Sequence, residues 1–316
     1  MRSACVAVAI LLAGCTGSQP AIPSAHAAIA QARTQASWMS QRVQTSALLY
    51  VSDYVTNSVY AYSYPALKLS GVLRNILKGA VAPAGLCSDD SGNVFIPNSA
   101  NSTVLEYAHG GTQVVKTLSD RDEVPYSCAI DPTSGDLAVT NLVSASGAGA
   151  ISIYSRARGL PKSYHFGSIY KFYFAAYDDK GNLYVDGADD VPSEPIAFLE
   201  LPRRSKSFQQ FTLDQTFAVP GAVGWDGKYV VVGDSKACAV YRFSLAGTQG
   251  TRVGTTTLRQ GRFVAQFAVI GSKIVGANYR GASAGVWKYP AGGLPAAMLH
   301  GLHEPFGVTL SQAPKT

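Results

Sequence analysis

Four short strand patterns follow one another between residues 83 and 118. They read Pro83-Ala-Gly-Leu-Cys-Ser-Asp89, then Gly92-Asn-Val-Phe-Ile96, then Val104-Leu-Glu-Tyr107, then Val114-Val-Lys-Thr-Leu118. Each of these four pieces has the short, apolar-rich pattern of a β-strand, and turn-forming residues separate them. The stretch therefore predicts a unit of four short strands joined by turns.

The same order of strand patterns recurs along the whole chain. The copies start at residues 83, 125, 172, 220, 265 and 305, with spacings of 42, 47, 48, 45 and 40 residues. Four strands repeated at this period are typical of the blades of a β-propeller.

The two ends of the repeat region complement each other. The last copy, Pro305-Phe-Gly-Val-Thr-Leu310, stops after one strand, whereas the opening copy, Leu49-Tyr-Val-Ser-Asp53 and Val59-Tyr-Ala-Tyr62, lacks its first strand. Pairing of the two would close the ring and remove exposed sheet edges. We predict an all-β fold, a six-bladed β-propeller over 47–312 closed by the C-terminal strand, with 313–316 as a tail.

Two hairpins carry a specific turn signal. Asp89-Asp-Ser-Gly92-Asn93 and Asp178-Asp-Lys-Gly181-Asn182 each place a glycine near the end of the turn. A glycine there predicts a backbone with positive φ, which short hairpins need and other residues resist.

The N-terminus has the pattern of an export signal. Arg2 precedes an apolar run, 4–12, which is too short to cross a bilayer as a helix, and the run ends in Leu12-Ala-Gly-Cys15. That ending resembles the lipobox of bacterial lipoproteins, which implies cleavage before Cys15 and lipid attachment to it. The alternative is an ordinary signal peptide in which Cys15 is incidental.

We therefore predict a lipoprotein signal peptide over 1–15 and a flexible tether over 16–46, which is rich in Ala, Ser and Gln. The lipid would hold the protein in the cell envelope outside the cytoplasm, in the periplasm or on the cell surface.

The charge pattern argues against nucleic acid as a partner. The formal net charge is +6, but the only compact basic cluster is Arg203, Arg204 and Lys206, which is typical of a solvated hairpin tip. The sequence contains no Gly-x-Ser-x-Gly elbow, no P-loop and no dinucleotide fingerprint in its structural setting. We expect a monomer without a cofactor.

The segment from Tyr50 to Val59 has the form Tyr-Val-Ser-Asp-x-x-x-Asn-x-Val. It resembles the NHL-repeat and gluconolactonase/regucalcin-like six-bladed propellers, and the resemblance covers roughly 47–312. The chain also resembles a group of bacterial lipoprotein propellers of this type, which implies a fold but no assigned activity.

The resemblance to gluconolactonases implies a divalent metal held by Glu, Asn and Asp at the starts of the first strands. The positions that correspond here are Ala84, Tyr126, Tyr173, Gly221, Gln266 and Phe306. None is a carboxylate, although an oxygen-ligand site for Ca²⁺ or Mg²⁺ generally needs one. We therefore expect no metal there and doubt the lactonase mechanism.

The same positions suggest a binding site instead. Tyr126, Tyr173 and Phe306 would line the mouth of the channel with Gln266 as a polar partner, a combination that suits glycan, peptide or apolar contacts. The alternative is that these rings fill the channel as core.

Every copy also has an Asp or Asn near the end of its second strand. These residues are Asp53, Asn98, Asn141, Asp186, Asp234 and Asn278. Such a ring would coordinate a cation or sugar hydroxyls, or each side chain would bond nearby backbone amides and shape its loop. We favour the structural alternative.

The cysteines leave one question open. Cys87 and Cys128 lie in the first strands of adjacent copies, where they are close enough for a disulfide unless their one-residue offset points them to opposite faces. We expect Cys238 to be free and buried.

Two functional hypotheses follow. The first is a lipid-anchored scaffold that binds a glycan, a peptide or an envelope protein without turnover. The second is a metal-dependent lactonase-like or lyase-like enzyme with ligands such as Glu304, Asn98, Asn141 or Asp234.

Overall fold

The computed structural model describes residues 36–41, 45–77, 79–80, 84–167, 169–189 and 196–314. The predicted signal peptide and its lipid-attachment residue, Cys15, lie outside these ranges. The described residues contain strands and two short 3₁₀ turns, Ser155–Ala157 and Tyr279–Gly281, but no α-helix. The fold is all-β.

The strands follow one another in sets along the chain. The first are β1 (Trp38–Met39), β2 (Leu48–Asp53), β3 (Ser58–Ser63) and β4 (Leu69–Leu73). The next are β5 (Cys87–Ser88), β6 (Val94–Asn98), β7 (Thr103–Tyr107) and β8 (Val114–Ser119). Then come β9 (Glu123–Ile130), β10 (Leu137–Ser144), β11 (Gly147–Ala148), β12 (Ile151–Tyr154) and β13 (Lys162–Tyr164).

The second half of the chain continues in the same way. It contains β14 (Lys171–Tyr177), β15 (Leu183–Ala188), β16 (Ala197–Leu201) and β17 (Gln209–Leu213). These are followed by β18 (Pro220–Trp225), β19 (Val230–Asp234), β20 (Ala239–Ala246) and β21 (Gln249–Thr257). The last are β22 (Val264–Ile270), β23 (Lys273–Asn278), β24 (Ser283–Lys288), β25 (Ala297–Leu299) and β26 (Pro305–Ser311).

Hydrogen bonding assembles these strands into five sheets with a propeller-like arrangement, not into six separate blades. The difference from the predicted count arises where the sets β14–β17 and β18–β21 meet. Their last strands, β17 and β21, pair in parallel at Thr212 with Gln249 and Leu213 with Gly250. This two-residue contact joins two antiparallel four-stranded sets into one eight-stranded sheet.

The C-terminal strand β26 pairs antiparallel with β2 in the N-terminal sheet, from Leu48 opposite Ser311 to Asp53 opposite Pro305. The first strands of the sets contact one another in the cyclic order β26, β5, β9, β14, β18, β22 and back to β26. Within the described residues, the N-terminal strands and the C-terminal strand therefore lie in one sheet, and each first strand contacts another first strand on either side.

One strand lies outside the predicted boundary of the domain. Trp38–Met39 falls within 16–46, the range assigned to a flexible tether, yet it pairs with β4 at Val72 and Gly71. The outer edge of a sheet offers unpaired backbone groups, and this segment satisfies some of them. The sheet therefore starts before residue 47.

The core lies between neighbouring sheets. Every residue of Leu48–Asp53 and of Val94–Asn98 is buried, because each sheet packs on both faces against the next. Large side chains such as Trp287, Tyr50 and Phe95 are almost fully buried in these layers. Because both faces of these strands are covered by neighbouring sheets, their residues do not alternate between buried and exposed, and most of them are apolar.

The predicted turn chemistry is confirmed in two hairpins. Gly92 and Gly181 have φ values of 83° and 85°. In the first hairpin, Asp89 Oδ1 accepts hydrogen bonds from Ser91 N and Asn93 N at 3.0 and 2.8 Å. The side chain at the start of the turn and the glycine near its end thus fix the loop together.

Candidate functional site

The starts of several first strands enclose a small cavity of about 120 Å³, which we call the aromatic cavity. Three of the four residues predicted to bind a ligand line it: Tyr126, Tyr173 and Phe306. The remaining lining residues are Phe174, Val219, Pro220, Ser235, Phe263 and Ala265.

The rings of the cavity pack against one another in fixed orientations. The centre of the Tyr126 ring lies 5.3 Å from that of Phe306 and 5.4 Å from that of Phe174, both edge to face. Phe174 and Phe306 stack at 5.9 Å. These distances and angles are those that aromatic pairs prefer, so the wall is preorganised.

A break in strand register explains how neighbouring residues reach the same cavity. The pairing of β14 with β15 shifts between Phe172 and Ala175, and Tyr173 and Phe174 lie within that irregularity. In a regular strand, successive side chains point to opposite faces, whereas a bulge changes that alternation. Sequence reasoning selected Tyr173 and missed Phe174 because the alternating pattern does not show a bulge.

The same irregularity recurs at the start of other first strands. Register shifts occur in β18 between Pro220 and Val223 and in β22 between Val264 and Phe267. Pro220 and Ala265 both line the aromatic cavity. The repeated bulge is therefore the feature that turns the starts of the first strands toward a common space.

The wall of the cavity carries no formal charge at neutral pH. Burial raises the pKa of Tyr126 far above its ordinary value, and the neighbouring carboxyl of Asp186 raises it further. Burial also raises the pKa of Asp186 well above its ordinary value, although Phe174 N donates a 2.7 Å hydrogen bond to its Oδ1. The cavity thus presents neutral rings to an occupant.

Gln266, the fourth predicted ligand residue, is not among the residues that line the cavity. Its Oε1 accepts hydrogen bonds from Leu86 N and Val308 N, both at 2.8 Å, and its Nε2 donates to Leu86 O at 2.9 Å. The side chain is buried and links three first-strand segments, so its amide is already engaged by the protein's own backbone.

The Asp and Asn residues at the ends of the second strands are all buried. Several of them accept hydrogen bonds from the backbone that leads into the first strand of the same set. Asp53 Oδ2 accepts from His303 N at 2.7 Å, and Asp234 Oδ2 accepts from Ala218 N at 2.6 Å. Asp234 Oδ1 also accepts from Lys236 N and Ala237 N, in the turn that follows it. These contacts shape loops.

Two of the four alternative metal ligands, Glu304 and Asp234, accept hydrogen bonds from the protein itself. Tyr279 donates a 3.0 Å hydrogen bond to Glu304 Oε2, and the Asp234 carboxylate takes the backbone amides described above. Among the residues that the structure describes, no group of three or more His, Cys, Asp and Glu side chains is placed to hold a metal ion.

Larger cavities lie away from these strand starts. One of about 420 Å³ contains aromatic side chains, Tyr184, Trp225 and Tyr229, together with the charged residues Asp178 and Lys228. Another of about 250 Å³ includes the basic pair Arg203 and Arg204. Both have charged walls, in contrast to the aromatic cavity.

The cysteines form one cross-link between adjacent sets. Cys87 and Cys128 are joined by a disulfide with their Cα atoms 5.5 Å apart, and Cys238 is free and buried. The pairing register places Cys87 opposite Phe95 and Cys128 opposite Val139, so the bond connects the first strands β5 and β9. The one-residue offset between Cys87 and Cys128 therefore does not point their side chains to opposite faces.

Across the described part of the chain, no helix has the length and apolar character that crossing a membrane requires.

Comparisons with known proteins identify the fold but no family. No protein-family model matches the chain, and no curated protein matches it. A chain from the solved structure described as the "Nidogen/Laminin Complex" superposes with a TM-score of 0.69 at 12% identity, covering 85% of this chain and 100% of that one. A Bacteroides caccae protein of unknown function superposes with a TM-score of 0.64 at 12% identity, covering 84% and 99%. At this identity the likeness shows a β-propeller fold and nothing of activity.

Proposed function

We propose that this chain is an exported, lipid-anchored β-propeller that binds another protein of the cell envelope without catalysing a reaction. The aromatic cavity would take one apolar or aromatic side chain of that partner. The observation that carries the proposal is the size and chemistry of this cavity, about 120 Å³ with Tyr126, Tyr173 and Phe306 in its wall.

The volume distinguishes between classes of ligand. Sites for whole cofactors or drug-sized molecules usually measure about 300–1,000 Å³. An apolar cavity of about 150 Å³ holds a single benzene ring. A cavity of about 120 Å³ therefore suits one side chain, and aromatic pockets that receive single anchoring side chains dominate the energetics of many protein interfaces.

We further propose that the eight-stranded sheet acts as two blades, which makes six in all. Its two halves are each antiparallel and four-stranded, and among the described strands the one pairing between the halves is the two-residue contact of β17 with β21. The cyclic order of six first strands supports this count. On this basis the chain would be similar to the NHL-repeat type of propeller.

Export and lipid attachment rest on the sequence Leu12-Ala-Gly-Cys15. The Cys87–Cys128 disulfide supports an oxidising compartment, because disulfides persist in exported proteins and are rare in the cytosol. A lipid anchor would hold the propeller at the membrane surface, in the periplasm or on the cell surface, where its partner would be found.

A propeller of similar fold occurs in a structure that is itself a complex between proteins, as the description of the nidogen and laminin structure states. That neighbour supports protein binding as a use of this fold.

Photocrosslinking in the intact envelope tests the proposal. The full chain would carry benzoylphenylalanine in place of Tyr173, which is half-buried in the cavity wall, or, as a control, in place of Leu160, which is 86% exposed and does not line the cavity. We expect one protein to be crosslinked from position 173 and not from position 160.

A second variant tests whether the cavity itself is used. Ala265 is buried in the cavity wall, so Ala265→Leu should fill the space and abolish the adduct formed from position 173. The melting temperature of Ala265→Leu shows whether the fold survives. No protein adduct from position 173, or an adduct that Ala265→Leu leaves unchanged, would refute protein binding at this cavity.

A further inference from the structure

We propose a calcium site at the junction between the second and third sets of strands, formed by Asp120, Glu123 and Asn141, which we call the Asp120 site. Among the residues that the structure describes, Asp120 Oδ2, Glu123 Oε2 and Asn141 Oδ1 are buried and accept no hydrogen bond. Asp120 and Asn141 are 1% and 0% exposed, and Glu123 is 9% exposed. Buried polar atoms are almost always satisfied, and the Asp120 carboxyl neighbours both the Glu123 carboxyl and the Asn141 amide, so these unpaired oxygens point to an occupant.

The three residues come together because a short, well-bonded loop connects β8 to β9. Asp120 N donates to Ser102 O at 2.7 Å, Glu123 N donates to Asp120 O at 3.1 Å, and Ser102 Oγ donates to Glu123 O at 2.6 Å. These bonds hold both carboxyl-bearing residues in place before any ligand binds, which lowers the entropy cost of binding.

The loop that contains Asp120 and Glu123 differs from the corresponding loops of two other sets. At the position of Asn141, Asp53 and Asp234 accept backbone N–H groups from the segment that leads into the first strand. In the third set the corresponding donor, Glu123 N, is used by Asp120 O instead. The loop contact made by Asp53 and Asp234 is therefore missing in this set, and the carboxyl groups of Asp120 and Glu123 lie in the loop instead.

The Asn141 amide and the hydroxyls of Ser152 and Tyr154 are within hydrogen-bonding reach of the Asp120 carboxyl. Asn141 Nδ2 donates to Ser152 Oγ at 3.2 Å. A half-turn of the amide would exchange its oxygen and nitrogen, and Ser152 Oγ can then donate to the amide instead of accepting from it. After the half-turn the Asn141 oxygen faces the Asp120 carboxylate, and the amide keeps a hydrogen bond with Ser152.

Electrostatics favour a cation. Among the described residues, neither Asp120 nor Glu123 forms an ion pair. Burial raises the pKa of Glu123 to about 7, and the neighbouring Asp120 carboxyl adds to the effect. Burial raises the pKa of Asp120 as well. A bound cation would remove the cost of holding two carboxylates together in a buried place.

The donor atoms favour calcium among common cations. Carboxylate and amide oxygens are hard ligands, and Ca²⁺ accepts six to eight such oxygens, including backbone carbonyls and water, in flexible geometry. Zinc prefers histidine and cysteine, which the Asp120 site lacks. With only two carboxylates we expect a dissociation constant on the order of 10⁻⁴ M, in the range of extracellular calcium modules.

Terbium luminescence tests the proposal on the full chain in detergent after treatment with chelator. Terbium is a calcium substitute that emits when a nearby tyrosine is excited, and Tyr154 lies beside the Asp120 carboxyl. We expect sensitised emission that Ca²⁺ displaces, with one site per chain by calorimetry of Ca²⁺ alone.

Three variants decide the assignment. Glu123→Gln keeps the shape and removes one carboxylate, so Ca²⁺ affinity should fall at least tenfold. Asp90→Asn removes the same charge from an exposed hairpin residue and should change affinity less than twofold. Asn141→Asp adds a third carboxylate and should raise affinity at least fivefold.

Melting temperatures in chelator show whether each variant folds. No Ca²⁺ binding by the wild type up to 10 mM would overturn the proposal and indicate that water fills the site. Equal Ca²⁺ affinity in the wild type and in both Glu123→Gln and Asn141→Asp would overturn it too, because the ion would then bind elsewhere. Neither result depends on whether the aromatic cavity binds a protein.

Discussion

Gln266 and Leu86, 180 residues apart in sequence, form a pair of hydrogen bonds in which one side-chain amide satisfies both backbone groups of the other residue. Leu86 N donates to Gln266 Oε1 at 2.8 Å, and Gln266 Nε2 donates to Leu86 O at 2.9 Å. The same oxygen accepts from Val308 N in the C-terminal strand. A single glutamine in β22 therefore links the segment that leads into β5 to the C-terminal strand β26.

Replacing Gln266 should destabilise the fold rather than alter binding alone. Gln266→Met keeps the volume but leaves two buried N–H groups and one carbonyl without partners, which should cost about 2–4 kcal/mol. The urea midpoint measures this loss. Gln210→Met, at an exposed position on β17, is the matched control and should leave the midpoint almost unchanged. Equal midpoints for the two variants would mean that the cross-link is unimportant.

Breaking the disulfide should also lower stability. Cys87 and Cys128 are separated by 41 residues. Closing a loop of that length is expected to stabilise the fold by about 4 kcal/mol in the chain-entropy model. Adding reductant should therefore lower the melting temperature of the wild type.

The double variant Cys87→Ala/Cys128→Ala should melt at the lower temperature whether or not reductant is present. A fall in melting temperature with reductant in that variant would point to Cys238 or to another effect instead.

The closing strand should tolerate no side chain at position 307. A Cβ added to Gly307 would lie 2.3 Å from Ala84 O and 2.8 Å from Ser52 Oγ, and Gly307 N donates to that same Ser52 oxygen at 2.7 Å. Gly307→Ala should therefore cost about 1–3 kcal/mol through overpacking.

Gly167→Ala is the control for the loss of a glycine, because nothing lies within 4 Å of the Cβ it would add. It should be neutral or slightly stabilising. Denaturant unfolding of the two variants side by side checks the difference, and a neutral Gly307→Ala would show that β26 has room for a methyl group at this position.

In chelator, stability should fall as the pH rises through the pKa of Glu123. Burial and the facing Asp120 and Asp122 carboxyls raise that pKa from 4.5 to about 7. The folded state then holds a proton that the unfolded state releases, so this contribution is fully present below pH 4.5 and is lost as the pH passes about 7.

The side chain introduced by Glu123→Gln is uncharged at every pH. The variant should therefore be as stable as the wild type near pH 4.5 and more stable than the wild type above pH 7. Urea unfolding at pH 5, 6, 7 and 8 measures the difference between the two proteins. A difference that stays constant over this range would show that Glu123 titrates normally.

The repeat could be predicted from the sequence. Strand patterns spaced by 40–48 residues and glycines at hairpin turns are local properties, because side chains alternate along a strand and a positive φ excludes most residues. The complementary end copies also pointed to the pairing of β26 with β2, which the structure contains.

The candidate site was accessible only in part. Tyr126, Tyr173 and Phe306 follow from the repeat register, and the structure brings them together in one cavity. Phe174 was missed because a bulge in β14 changes which way it points. Gln266 was assigned to the same site because the register places it at an equivalent position, but its amide bonds to backbone on neighbouring strands.

Sequence patterns predict the strands, their turns and the order in which they pair within each set, since these depend on residues a few positions apart. Tertiary packing alone shows that β17 pairs with β21, that Trp38–Met39 extends the first sheet, and that the Asn141 oxygen is buried without a donor while its amide neighbours the Asp120 carboxyl. Those contacts depend on the distance and angle between neighbouring sheets, which arise from the packing of the whole ring and are encoded in no single repeat.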